Sequence, residues 1–151
     1  MALSADTPRN YQLDGSDRIR TVKLAAGMVV FEGAILQEFS SGYCGAGTFD
    51  AILPTAPTCG LAGIAIERAD SRGQNDGAVQ VRVRSKGIVR MQVTGASMRS
   101  DASLDVYALD DGTLVTADTW DGTTGIYFGR ILEWIVGTWC WVQYAGRRDA
   151  S

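Results

Sequence analysis

The sequence is built from short alternating segments that change direction at glycine, and this pattern restricts the chain to β-structure. The clearest examples are LDVYALDDGTLVT, residues 104–116, and GIYFGRILEWIVGTWCWVQYAG, residues 125–146. Alternating apolar and polar side chains are typical of strands, and dipeptides that contain glycine, such as Asp-Gly, are typical of the turns between them. The chain has 18 glycines and 3 prolines but no long helical period. We therefore predict a small all-β domain, a β-sandwich or barrel of β-tulip or jelly-roll-like form.

The strongest strand pattern lies at the centre of the chain, in AVQVRVRSKGIVRMQV. Val79, Val81 and Val83 alternate with polar side chains, which predicts one apolar and one polar face. The Ser-Lys-Gly run at 85–87 predicts a tight turn, so we interpret residues 78–93 as a β-hairpin. Its basic side chains either form a solvated edge that prevents sheet-to-sheet aggregation or dock onto an acidic protein surface. These side chains are Arg82, Arg84, Lys86 and Arg90.

Regular alternation of apolar and polar side chains starts at IRTVKL, residues 19–24. On this basis we divide the chain into three regions. We predict an extended N-terminal arm over residues 1–18, a β-domain over 19–146 and a polar C-terminal tail over 147–151. The arm is mainly polar, and Tyr11 and Leu13 are the anchors that it offers. Such a segment is either a frayed terminus or an arm that orders on a neighbouring protein through these two side chains.

The last two predicted strands carry two further signals. Gly129 interrupts an otherwise apolar strand, which predicts a bulge or a close approach of two backbones. In WCWVQY, Trp139 and Trp141 lie on one face and Cys140 and Val142 on the other, so both faces are apolar. We expect one face in the core and the other against a partner subunit.

The composition excludes the usual catalytic groups. The chain has no histidine, which removes the commonest general base and metal ligand. Its three cysteines match no zinc-ligand spacing, and Cys140 is interpreted as a small hydrophobe. Cys44 and Cys59 flank part of a long loop over residues 40–60, and they either form a disulfide or stay reduced. We predict no enzymatic activity, no cofactor and no metal.

Charge and hydropathy argue against two classes of partner. The net charge of −3 gives no electrostatic basis for binding nucleic acid. The N-terminal segment has no apolar signal-peptide core, and no apolar run is long enough to span a bilayer. We therefore expect a protein that is made in the cytoplasm and has neither a nucleic-acid nor a membrane partner.

The order of these elements resembles that of the tailed-phage capsid decoration, or cement, proteins. The resembling segments are AAGMVVFEGAIL, GLAGIAIERAD with GAVQVRVRSKGIV, SLDVYALDDGTLVT and GRILEWIVGTWCWVQY. Each segment is short and based on glycine, so the resemblance lies in the ordered series, which covers residues 25–145. Before Leu104, where the family often has glycine, this chain has Ser103.

The resemblance implies a β-rich structural protein that assembles, usually as a homotrimer, on the outside of a phage head. It would bind the major capsid protein at junctions between subunits after the shell expands, and would stabilise the expanded shell. On this basis we assign contacts with the capsid or a neighbouring copy to Tyr11, Leu13, Arg18 and Arg20. We assign packing between subunits to Trp139 and Trp141.

Two other functions stay open from the sequence. A β-barrel module of a tail or adhesin protein would bind a surface glycan through Trp120, which lies in a predicted exposed loop. A small hydrolase would use a pair of carboxylates, although no pair stands out in the sequence.

Overall fold

The computed structural model describes residues 2–13, 15, 17–46, 60–122 and 125–149. None of these residues forms a helix that is both long and apolar enough to cross a membrane. One 3₁₀ turn, Arg99–Asp101, accompanies the strands. The strands are β1 (Asn10–Gln12), β2 (Arg18–Lys23), β3 (Val29–Val30), β4 (Ile35–Glu38), β5 (Cys44–Gly45), β6 (Gly60–Ala65), β7 (Ala69–Asp70), β8 (Gln80–Thr94), β9 (Asp105–Ala108), β10 (Leu114–Thr116), β11 (Ile126–Val136) and β12 (Trp139–Ala145).

The longest strand, β8, organises the sheet because other strands pair with both of its edges. Along one edge it pairs first with β6 and then with β12. Along the other edge it pairs with β2, then β1 and finally β10. Every odd-numbered residue from Val81 to Val93 is buried, as expected for a strand with one face in the core.

Five strands close into a barrel, in the order β8, β12, β11, β9, β10 and back to β8. The closing pair is the parallel contact of β10 with β8, in which Leu114 lies opposite Val93. Phe128 is fully buried in the core and stacks on Tyr144, with 5.0 Å between the ring centroids. The prediction of a small all-β domain, a sandwich or barrel, is therefore confirmed, and its main part is a closed barrel. Closure also removes free strand edges, which would otherwise pair with other chains.

Beyond the barrel, the first half of β8 continues into a second packed layer. There β8 pairs with β2 and β6, and the sheet continues from β6 to β4 and β5. A second apolar cluster packs in this part, and β3 and β7 form a separate two-stranded sheet. The cluster's buried members are Leu24, Val30, Ala34, Leu36, Ala65, Val81 and Val83. One strand thus joins two cores.

The predicted hairpin over residues 78–93 is wrong, because the chain does not turn at its Ser-Lys-Gly run. Ser85 and Gly87 continue the buried alternation of β8, and Lys86 is paired on both sides. Ser85 Oγ also donates a hydrogen bond to the carbonyl oxygen of Arg18 at 3.3 Å. Pairing partners on both edges hold the backbone extended, and this tertiary context overrides the local preference for a turn.

Gly129 lies where two backbones approach closely. A Cβ atom at this position would lie 2.1 Å from the carbonyl oxygen of Gln143 on the neighbouring strand. The register between β11 and β9 also shifts between Tyr127 and Gly129. Both features predicted for this glycine, a bulge and a close approach, are confirmed.

Ser103 adopts a backbone conformation that usually requires glycine. Its φ is +78°, and among the described residues it is the only non-glycine with a positive φ. The side chain is exposed, and the backbone N–H donates to the carbonyl oxygen of Ile131 at 2.8 Å. A β-carbon in the left-handed region costs about 1–2 kcal/mol, which glycine avoids. Glycine at this position would therefore suit the backbone better than serine does.

We expect Ser103→Gly to raise the free energy of unfolding by about 0.5–1 kcal/mol, because relief of strain exceeds the added chain entropy of glycine. Urea denaturation followed by tryptophan fluorescence measures the change. The matched control is Ser100→Gly, an exposed serine in the 3₁₀ turn, which should lower stability because its backbone is not left-handed. Equal destabilisation by both changes would show that Ser103 is not strained.

Candidate interaction surfaces

The two described cysteines are buried and free. Burial raises the pKa of the Cys44 thiol to about 12 and that of the Cys140 thiol to about 11, so both thiols are protonated at neutral pH. Cys59 lies outside the described residues, and with it the choice between a disulfide to Cys44 and reduced thiols. Within the described ranges, no group of three histidine, cysteine, aspartate or glutamate side chains is placed to hold a metal ion.

Trp139 and Trp141 lie on the outward face of β12. Cys140, between them, points into the barrel core. Pairing with β11 places Val136, which is 56 % exposed, opposite Trp139. Arg90 of β8 lies over the Trp139 ring, 4.3 Å from its centroid. We call Trp139, Trp141, Val136 and Arg90 the tryptophan face. Partly exposed indole rings beside an arginine are typical of protein interfaces.

A second aromatic group lies elsewhere on the barrel wall. Tyr107 stacks on Trp120 with 3.8 Å between ring centroids, and it meets Tyr127 edge-on at 5.6 Å. The hydroxyl of Tyr127 donates to Asp105 Oδ1 at 3.2 Å, and partial burial together with this carboxylate raises the pKa of Tyr127. We call Tyr107, Trp120 and Tyr127 the aromatic cluster. In this stack, Tyr107 of the same chain covers one face of the Trp120 ring.

The N-terminal segment lies along the chain's own β-domain. The Leu3 N–H donates to Asp111 Oδ1 at 2.8 Å, and the Thr7 N–H donates to the Glu32 carbonyl oxygen at 2.7 Å. Strand β1 then pairs antiparallel with β8, on the same edge that β2 occupies. Part of the segment predicted as an arm therefore supplies a strand of the main sheet.

The two anchor residues of this segment point in different directions. Tyr11 packs against the barrel core, with the Arg84 guanidinium 4.3 Å from its ring centroid. Burial raises the pKa of Tyr11 to about 12. Leu13, between β1 and β2, is 78 % exposed. Of the two, Leu13 is the side chain that a neighbouring protein can reach directly.

Arg18 and Arg20 converge on Asp149. Arg20 Nη2 donates to Asp149 Oδ1 at 2.6 Å and Nε donates to Oδ2 at 2.9 Å, while Arg18 Nη1 lies 3.6 Å from Oδ1. The Asp149 side chain is only 2 % exposed. The hydrogen bonds from Arg20 lower the pKa of this carboxyl, against a smaller opposing effect of burial. Arg20 is thus engaged within the chain, whereas Arg18 is 61 % exposed.

The residues just before Asp149 bind the domain in a similar way. Arg147 Nη1 donates to Glu38 Oε2 at 2.9 Å, and Arg148 Nε donates to Glu38 Oε1 at 2.7 Å. The backbone N–H of Arg147 also donates to the carbonyl oxygen of Leu61 at 2.7 Å. The start of the predicted polar tail is therefore attached to β4 and β6. Sequence reasoning missed these contacts because the paired residues lie more than 100 positions apart.

The basic side chains of β8 are engaged within this chain more than the sequence suggests. Arg84 Nη1 lies 2.6 Å from Asp17 Oδ2, and Arg82 Nη2 lies 3.2 Å from Glu67 Oε2. The backbone N–H of Arg82 also donates a hydrogen bond to Glu67 Oε1 at 2.9 Å. These contacts neutralise much of the basic rim that the sequence predicts on this strand.

We expect Asp149→Asn to lower the free energy of unfolding at pH 7 by on the order of 1 kcal/mol, because the buried partner of Arg20 loses its charge. The carboxyl's pKa is lower in the folded chain than in the unfolded chain. The stabilisation it provides is therefore complete above about pH 4 and is lost as the pH falls through its folded pKa. Urea denaturation of both proteins from pH 7 to pH 3 measures the difference, which should shrink in acid.

Asp118→Asn is the matched control for this experiment. Asp118 is exposed, so the free energy of unfolding of Asp118→Asn should differ little from that of the unmodified chain at any pH in the range. A deficit of Asp149→Asn that is the same at pH 3 and at pH 7 would contradict a role for the charge.

No protein-family model and no curated protein sequence matches this chain.

Proposed function

We propose that the chain is a structural protein of a tailed-phage virion, made in the host cytoplasm and bound to the outside of the capsid. There it would sit at junctions between major capsid subunits and stabilise the expanded shell. The observation that carries this proposal is the tryptophan face, an arginine-flanked apolar surface on the wall of a closed barrel. Tryptophan and arginine are among the residues most enriched at the energetic centres of interfaces. The ordered series of segments that resembles decoration proteins supports the same function.

In this proposal the tryptophan face is the contact between copies of the chain, which assemble as a homotrimer. A three-fold ring needs each copy to present two different patches, one that receives its neighbour and one that is received. Trp139 and Trp141 supply a rigid apolar patch, because the pairing of β12 with both β8 and β11 holds their backbone. Covering this patch removes the two indole rings and Val136 from water, which favours association.

The predicted capsid contacts divide into two kinds. Leu13 and Arg18 have exposed side chains and would touch the capsid or a neighbouring copy. Tyr11 and Arg20 bind within the chain and would act by holding that segment in place. Contacts made by a few exposed side chains are individually weak. Many copies on a closed lattice, each with several contacts, nevertheless bind strongly through multivalency.

The variant Val136→Asp tests this proposal, since it puts a charge on the tryptophan face without emptying the core. We expect it to convert the trimer to monomer and to weaken binding to decoration-free expanded heads at least tenfold, because a carboxylate buried in the contact between copies would lose its hydration. Light scattering measures the mass, and cryo-electron microscopy of heads mixed with protein measures occupancy.

Tyr127→Ser is the control for this variant, because it removes an exposed aromatic side chain from the aromatic cluster and leaves the tryptophan face intact. It should bind heads like the unmodified chain. If saturating unmodified protein adds no density to the heads, the proposed function is wrong.

The second candidate function is glycan binding, and the aromatic cluster is the observation that favours it. Sugar rings pack on exposed aromatic faces, and Tyr127 is 46 % exposed beside the Asp105 carboxylate. Binding on a glycan array that is lost in Tyr127→Ser would favour this candidate, whereas a silent array would favour the structural function.

A further inference from the structure

Strand β2 has one edge that no described strand covers. Its inner edge pairs with β8 from Arg18 to Lys23. On the outer edge, the nearest strand contact within the described ranges comes only after β2 ends, at the bridge between Leu24 and Cys44. An uncovered strand edge presents backbone N–H and C=O groups in the spacing that another extended chain requires.

A groove of about 500 Å³ runs along this edge. One side consists of the consecutive β2 residues Ile19–Lys23. The other side includes Glu38, Gly42, Cys44 and Arg148. Ile19 is 50 % exposed there. The groove follows five successive residues of one strand. This shape suits an extended peptide.

The groove is basic although the whole chain is acidic. Five cationic side chains lie on it or next to it, namely Arg18, Arg20, Lys23, Arg147 and Arg148. Among the described residues, these five cations exceed the two buried carboxylates beside them, Glu38 and Asp149, by three positive charges. Lys23 is exposed and makes no ion pair with any residue that the structure describes. The chain as a whole carries a net charge of −3, so this excess is a local feature.

We propose that this groove binds an extended acidic segment of a partner protein, which adds to the outer edge of β2 as a further strand. Backbone hydrogen bonds to β2 would supply sequence-independent affinity, and carboxylates near Arg20, Lys23 and Arg148 would supply selectivity. The inference rests on the proposed function only for the identity of the partner, the major capsid protein.

The groove can be tested with the full chain and a defined peptide. The probe is a capped seven-residue peptide in which glutamate alternates with valine, and its control has lysine in place of glutamate. We expect the glutamate peptide to slow hydrogen exchange at the outward-pointing backbone amides within Ile19–Lys23. The lysine peptide should leave these amides unchanged. Absence of protection by the glutamate peptide, or equal protection by both peptides, would overturn the proposal.

A charge reversal at Lys23 adds an independent measurement. Lys23→Glu should weaken binding of the glutamate peptide about fivefold to tenfold, since it replaces an attraction with a repulsion at an exposed site. Arg99→Glu makes the same kind of reversal in the exposed 3₁₀ turn and should have no effect. Fluorescence anisotropy of a labelled peptide measures both affinities. Equal weakening by the two variants would show only a response to net charge and would overturn the groove assignment.

Binding to decoration-free heads separates this inference from the proposed function. Reduced head binding by Lys23→Glu, with the trimer intact, supports the groove as the capsid contact. If Lys23→Glu binds heads normally while Val136→Asp does not, the decoration function stands and the assignment of the major capsid protein as the partner of the groove is wrong. If the unmodified chain does not bind heads, the decoration function fails, and the peptide measurements alone decide whether the groove binds acidic segments.

Discussion

The pairing of β8 on both of its edges is the constraint on which the rest of the structure depends. This one strand closes the barrel through β12 and β10 and also carries the second layer through β2 and β6. A shift of one residue in its register would turn its buried side chains, such as Val83 and Val93, out of both cores at once. The two cores therefore depend on one register and are expected to fold as one unit.

Two buried carboxylates then fix the position of the C-terminal segment against β2 and β4. A charged carboxylate is costly to bury unless cations and hydrogen bonds compensate it. Glu38 and Asp149 meet this requirement with arginines from β2 and from residues 147–148. Because those arginines must reach the carboxylates, the C-terminal segment lies beside β2 and β4, and positive charge gathers along one strand.

The tryptophan face and the groove flank different edges of β8, and they differ in chemistry. On the β12 side, Trp139 and Trp141 form an apolar surface beside Arg90. On the β2 side, a strand edge that none of the described strands covers lies in a basic groove. A contact between copies through the first surface leaves the second one free for a different partner. This division of surfaces suits a protein that must both assemble with itself and attach to something else.

Local alternation in the sequence determined the all-β class, the positions of strands such as β2, β9 and β12, and the shared face of Trp139 and Trp141. It also determined that Gly129 marks a close approach, because few other features place glycine inside an apolar strand. These properties depend on neighbours a few residues away. The straight course of β8 through Ser85, the inward position of Tyr11 and the ion pairs of Asp149 were decided only by the tertiary structure. In each case the deciding partner lies dozens of residues away, and its free-energy contribution outweighs the local preference that the sequence displays.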